Sequence, residues 1–239
     1  MSSLKSLEKE LKSLANPKKA LILQRFFKTG PGQYGAGDVF IGLTVPLTRQ
    51  IAKKYQDLSF QDLKRLLASQ IHEFRLTALL ILVFQYQRAR DLKTKKQIFD
   101  FYYTIRKRIN NWDLVDLSAP KIFGDYLLVT NQGISRLISM TRSKDLWQRR
   151  IAMVSSYSFI RAGRSEEAFQ LARELVNDKH DLIHKAVGWM LREAGKRVSE
   201  KQLCAFLDQE VYNLPRTSLR YAIERLPDNL KNYYLKIKI

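Results

Sequence analysis

Asn110-Asn111-Trp112-Asp113-Leu114-Val115-Asp116, continuing through Leu117-Ser118-Ala119-Pro120 to Gly124, is the stretch from which the fold can be read. It follows the basic triplet Arg106-Lys107-Arg108. A helix turns about 100° per residue, so Trp112 and Asp116, four residues apart, share one face. An indole beside a carboxylate, in a chain of net charge +19, suits a cationic, electron-poor group. A core anchor with a solvated neighbour is the commoner use of such a pair, so the rest of the chain must decide.

Arg75, Trp112, Arg149 and Ala186 stand 37 residues apart in succession, and Ala78, Val115, Ala152 and Trp189 follow each of them by three. A period of this size marks helix pairs of HEAT type, slightly short of their usual length. Each pair has an apolar face that only its neighbours can cover. The expected fold is therefore all-α, a curved α-solenoid of HEAT-like helical repeats. Helical periodicity supports it throughout. Leu4, Leu7, Leu11 and Leu14 form one stripe, Asn16-Pro17 reads as an N-cap and first turn, and Pro46 opens a further helix. Further helical patterns run to about residue 225, including 112–128 and 145–162, with no convincing alternating strand run. The chain reads as one repeat domain over 1–239: N-terminal helices 1–28, a Gly-rich loop 29–44, repeats 46–225 and a tail 226–239.

The repeat also sorts the candidates. Counted from its first position, Trp112 stands at 0, Arg150 at +1, Trp189 at +3 and Asp116 at +4, an arc of about 160°. Such an arc permits these side chains to gather on one side, although part of it must also pack between helices.

Lys and Arg number 42 against 23 Asp and Glu, and the pI is about 10.0. This excess favours a polyanionic partner, nucleic acid first and an anionic membrane surface second. Short basic groups such as Lys53-Lys54, Lys64-Arg65 and Lys196-Arg197 fall at expected helix ends. There they complement the helix dipole in any protein, and they equally suit the phosphates of a duplex. Cys204 is the single cysteine, so no intrachain disulfide can form, and a cytoplasmic location is expected. Met1-Ser2-Ser3-Leu4-Lys5 lacks the apolar core of a signal peptide, and the longest apolar run, Leu76 to Phe84, is too short to span a bilayer. His180 and His184 have the i, i+4 spacing of metal ligands but no third partner, so no metal is expected. Gly30, Gly32 and Gly35 spell G-x-G-x-x-G, but a helix pattern precedes them where a nucleotide fold needs a strand. The loop instead reads as a connector, or as a surface loop that lays Tyr34 against a ligand.

Five stretches together resemble the AlkD-type DNA alkylation repair glycosylases. They are Phe40 to Arg49, His72 to Leu79, Trp112 to Asp116 with Gly124-Asp125, Trp147 to Ala152, and Lys185 to Glu193. The resemblance covers the chain from about Leu21 to about Arg225. It implies hydrolysis of the N-glycosidic bond of purines alkylated at N3 or N7, in duplex DNA, without base flipping and without cofactor or metal. By position it implies Asp116 as catalytic carboxylate, with Trp112 and Trp189 as its cleft indoles. DNA contacts are implied for Arg150 or its neighbour Arg149, for Lys185 and for Tyr34. A monomer is expected, nucleoid-associated if the source is bacterial. The alternatives are a non-catalytic binder of damaged or branched DNA on the same scaffold, and a protein-binding scaffold. The charge disfavours the latter.

Overall fold

The computed structural model describes residues 3–237. The helices are α1 Leu4–Ser13, α2 Pro17–Phe26, α3 Val45–Lys54, α4 Phe60–Leu67, α5 His72–Arg88, α6 Leu92–Ile105 and α7 Trp112–Ala119. They continue as α8 Asp125–Val129, α9 Ser135–Thr141, α10 Leu146–Ser155, α11 Tyr157–Arg161, α12 Glu166–Leu175, α13 Asp181–Arg197, α14 Glu200–Glu210, α15 Arg216–Ala222 and α16 Asp228–Lys236. No strand occurs among the described residues. Val39 and Ile71 make one isolated parallel bridge. No helix among them is long and apolar enough to cross a membrane. Two compact units follow one another, one up to Ser118 and one from Ala119.

In the first unit α5 is the centre. It is buried on nearly every side and packs against α3 and α4. In the second unit α13 has that place, packed against α10, α12, α14 and α15. The 37-residue period lands on a helix each time: Arg75 on α5, Trp112 on α7, Arg149 on α10 and Ala186 on α13. The first and third of these do the same work in their own units. Arg75 donates from Nη1 to the carbonyls of Ser69 and Gln70, and from Nη2 to Asp38. Arg149 donates from Nη1 to the carbonyls of Ser143 and Lys144, and from Nε to Asp178. Each arginine ties the connector before its helix to a carboxylate elsewhere in the unit.

Local chemistry explains the boundaries. Asn16 accepts the Lys19 N–H and Pro17 occupies the first turn of α2, as expected. Pro120 interrupts the expected helix 112–128, because it has no N–H for the carbonyl of Asp116. A π-helical turn, Pro120–Gly124, replaces regular helix there before α8 resumes. The pattern over 145–162 also divides, at Ser155-Ser156, where Ser156 Oγ donates to the Met153 carbonyl and bends the chain between α10 and α11. The segment expected as a tail carries α16, anchored by buried Tyr234, whose hydroxyl donates to Asp208 at 2.8 Å.

Gly188 lets α13 and α15 approach closely. A Cβ there would overlap the Ser218 carbonyl oxygen and the Tyr221 Cβ. Gly188→Ala is therefore expected to destabilise the protein by about 2 kcal/mol. Urea unfolding should show a lower midpoint with an unchanged slope; an unchanged midpoint would mean the two helices part without cost.

Candidate functional site

Trp112 opens α7 with its backbone N–H donated to the Asn111 side chain at 2.8 Å. Its indole stacks on Phe27, ring centres 5.2 Å apart and planes 16° apart, and meets the edge of Phe26 at 5.9 Å. The indole N–H donates to the Tyr34 hydroxyl at 3.2 Å. The ring is thus held by Phe27, Phe26 and Tyr34, and is half-buried. Asp116 lies one turn further along the same helix and is also half-buried. Its charge reaches Tyr102, a fully buried phenol hydrogen-bonded to Ser118. Burial chiefly, with the Asp116 charge added, pushes the Tyr102 pKa well above its ordinary range. The first unit thus brings Tyr34 to Trp112, with Asp116 one turn further along α7. Tyr34 makes this contact from within the Gly-rich loop, which is irregular and preceded by α2 rather than by a strand.

Beneath them lies a buried charge network that sequence reading missed. His72, the first residue of α5, has Nδ1 3.1 Å from Asp38 and Nε2 2.8 Å from Asp113. Asp38 also accepts from Arg75 at 2.6 Å and from Asn111 at 3.2 Å. Asp113 accepts the Leu114 N–H with its other oxygen. The side chains of His72, Asp38 and Arg75 are 2%, 5% and 4% exposed, so solvent barely screens the contacts among them, while Asp113 is 13% exposed. Carboxylates only accept, so both imidazole nitrogens must donate, and the ring is the imidazolium. Burial pulls its pKa down, but the hydrogen bond and charge of Asp113, and then the Asp38 bond, outweigh burial and lift it to about 9. Burial raises the Asp38 pKa, but the His72 hydrogen bond and the Arg75 charge leave it below the ordinary carboxylate value. The imidazolium's contribution to stability is therefore whole below pH 6.5 and fades as pH rises through about 9. Phe40 stacks on His72, Phe27 meets the imidazole at a tilt of 35°, and Phe27 stacks in turn on Trp112. Beside the network, an apolar cavity of about 340 Å³ is walled by Phe27, Phe40, Leu43, Leu76, Glu73 and Asp113. Glu73, which is buried, holds the end of the Gly-rich loop by accepting the N–H groups of Ile41, Gly42 and Leu43.

The second unit carries the other candidates. Trp189 on α13 is half-buried, its ring 6.3 Å from Tyr157. Lys185 stands one turn before it on α13 and pairs with Asp181 at 2.7 Å. Arg150 is buried and donates from Nη1 to the Leu182 carbonyl at 2.5 Å, which ties α10 to α13. Arg149 is held by Asp178 and two carbonyls, as described above. His180 Nδ1 accepts the Leu182 N–H, and His184 Nε2 pairs with the Asp178 carbonyl, so both rings have backbone partners.

The family described as DNA alkylation repair enzyme matches residues 7–226. The chain belongs to this family. Solved structures share the family's fold. A predicted DNA alkylation repair enzyme from Enterococcus faecalis is 18% identical, with 90% of this chain and 97% of that one aligned at a TM-score of 0.68. AlkD2 from Streptococcus mutans is 16% identical over 88% of this chain and 98% of its own, at a TM-score of 0.53. The Streptococcus mutans protein smu.31 aligns over the same shares, also at 16% identity, with a TM-score of 0.55. Among curated proteins no match is found. The expected repeat-helical, AlkD-type fold is thereby met. Membership makes DNA alkylation repair the process and DNA the partner. The features that could have exposed the missed network are His72, Glu73 and Arg75 at the head of the otherwise apolar α5, since charges on a buried helix require partners.

Proposed function

We propose that the chain is a DNA glycosylase that hydrolyses the N-glycosidic bond of purines alkylated at N3 or N7 in duplex DNA, with the lesion left in the stack. The observation that carries this reading is the α7 face: an indole clamped by Phe27 and Tyr34, with Asp116 one turn away. A purine alkylated at N3 or N7 is cationic and already a good leaving group, and the Trp112 face attracts it. As the bond breaks, the charge moves to the sugar. The Asp116 carboxylate stabilises that oxocarbenium-like centre and orients water toward the sugar carbon. Arg150 and Lys185 contact backbone phosphate, and Trp189 the duplex, from the second unit. Arg149 serves its own unit through Asp178 and the connector carbonyls.

The test is incubation with duplex DNA carrying 7-methylguanine, scored for free base. Release above a no-protein control is expected. Binding without release would leave a damaged-DNA binder. Affinity is expected to fall by about 10³-fold or more between 50 and 200 mM salt, since a protein of this charge neutralises several phosphates. A protein-binding scaffold would show little change.

A further inference from the structure

His72 takes no part in the proposed chemistry of Trp112 and Asp116, yet through Asp38 and Asp113 it joins the segments that carry Tyr34 and that pair. Asp38 lies four residues after Tyr34 in the Gly-rich loop, and Asp113 directly follows Trp112 at the start of α7. The loop turns tightly between the first pair, with the Asp38 N–H donated to the Gly35 carbonyl at 3.0 Å. Asn111 adds a second link, because it donates to Asp38 and accepts the Trp112 backbone N–H.

We propose that His72 is a positioning residue: bridging Asp38 of the loop to Asp113 of α7, it holds the Tyr34 hydroxyl against Trp112 and sets the pitch at which α7 presents Asp116. The inference rests on the glycosylase reading for its effect on excision, but its structural core does not. Four charges form the bridge, two carboxylates against the imidazolium and the Arg75 guanidinium, and they balance. Glu73 adjoins it on α5 but is turned to the loop amides. From the other packed elements the ring is faced by Asp38, Asp113, Phe27 and Phe40 alone among the contacts described. The phenyl faces favour the cation. Loss of the ring proton removes one donor and sets a nitrogen lone pair against a carboxylate. One of the two aspartates must then turn away, and either movement disturbs the Tyr34–Trp112 contact.

The full-length protein labelled with 5-fluorotryptophan has three tryptophans, so three fluorine resonances, and Trp112→Phe assigns the relevant one. The Trp112 resonance is expected to move with a midpoint near pH 9. It should do so in a Tyr34→Phe background too, which excludes phenol ionisation as the cause. Asp113→Asn should lower that midpoint by at least about one unit, since Asp113 is the main group raising it. In single-turnover release of 7-methylguanine, wild type should lose at least about threefold between pH 7.5 and 9.5, measured against no-protein controls. His72→Gln should be slower by about tenfold at pH 7.5 and flat with pH, while its DNA affinity stays within about twofold; these follow if positioning rather than binding is lost. A Trp112 resonance that ignores pH from 7 to 10, or an Asp113→Asn midpoint equal to wild type, overturns the proposal. If His72→Gln does not fold, the wild-type and Asp113→Asn titrations still decide it. If no base is released at any pH, the glycosylase reading fails while the fluorine titration still judges the bridge.

Discussion

Asp116→Asn is expected to lower single-turnover release of 7-methylguanine at least about tenfold, a loss of about 1.4 kcal/mol or more of transition-state stabilisation. DNA affinity measured at the same salt should be unchanged within about twofold. The amide matches the carboxylate in size and keeps an oxygen acceptor, so α7 and the Trp112 stack should survive. What it lacks is the negative charge that, on the proposed reading, faces the sugar and matters only once positive charge has left the base. A contact stronger in the transition state than in the bound substrate changes rate and not affinity. Trp112→Ala and Trp189→Ala are expected to slow release less, because each indole acts mainly on a charge the substrate already has. Equal rates for Asp116→Asn and wild type would remove this carboxylate from the chemistry.

Glu73→Ala is expected to lower stability by about 3 kcal/mol, seen as a fall of about 10 °C in the thermal midpoint. The carboxylate is 1% exposed and accepts three successive backbone N–H groups, the shortest at 2.8 Å from Gly42. Removing it spares the cost of burying a charge, which argues for a small effect. Against this, three donors lose a charged acceptor at once, and each such bond contributes about 1.5–3 kcal/mol. Gly42 cannot swing aside to find others, since its backbone has φ +88° and lies hard against the Asn16 carbonyl. The neighbouring cavity can admit water to some of the stranded amides, and this together with the spared burial of a charge brings the expected loss down to about 3 kcal/mol, below the sum of the three bonds. A midpoint shift under about 3 °C would mean that the loop end does not depend on this residue.

The helices and their repeat were legible because both are periodic, and a period survives local irregularities. The breaks at Pro120 and Ser155-Ser156 were not, since each turns on one or two side chains inside an otherwise helical pattern. The helix α16 was hidden by exposed Tyr233 and Leu235, which blur its apolar face, although buried Tyr234 anchors it. Trp112 and Asp116 could be paired from sequence because they share a helix. The Tyr34 contact spans 78 residues and a loop, where spacing carries no information. The His72 network went unseen for a further reason: charged residues are normally read as surface, and here they are interior and paired.

The arginines of the repeat bear on how the protein meets a phosphate backbone. Arg149 sits 2.6 Å from Asp178, and the Arg75–Asp38 pair is joined to His72 and Asp113 in a group of no net charge. Paired opposite charges project only a dipole, whose potential falls with the square of distance rather than the first power, and counterions cut it further within a Debye length of about 8–10 Å. These guanidiniums therefore add to the formal excess of cations without drawing the protein toward a duplex from afar. Long-range attraction rests with the surface lysines and arginines, and a count of basic residues overstates the reach of the field.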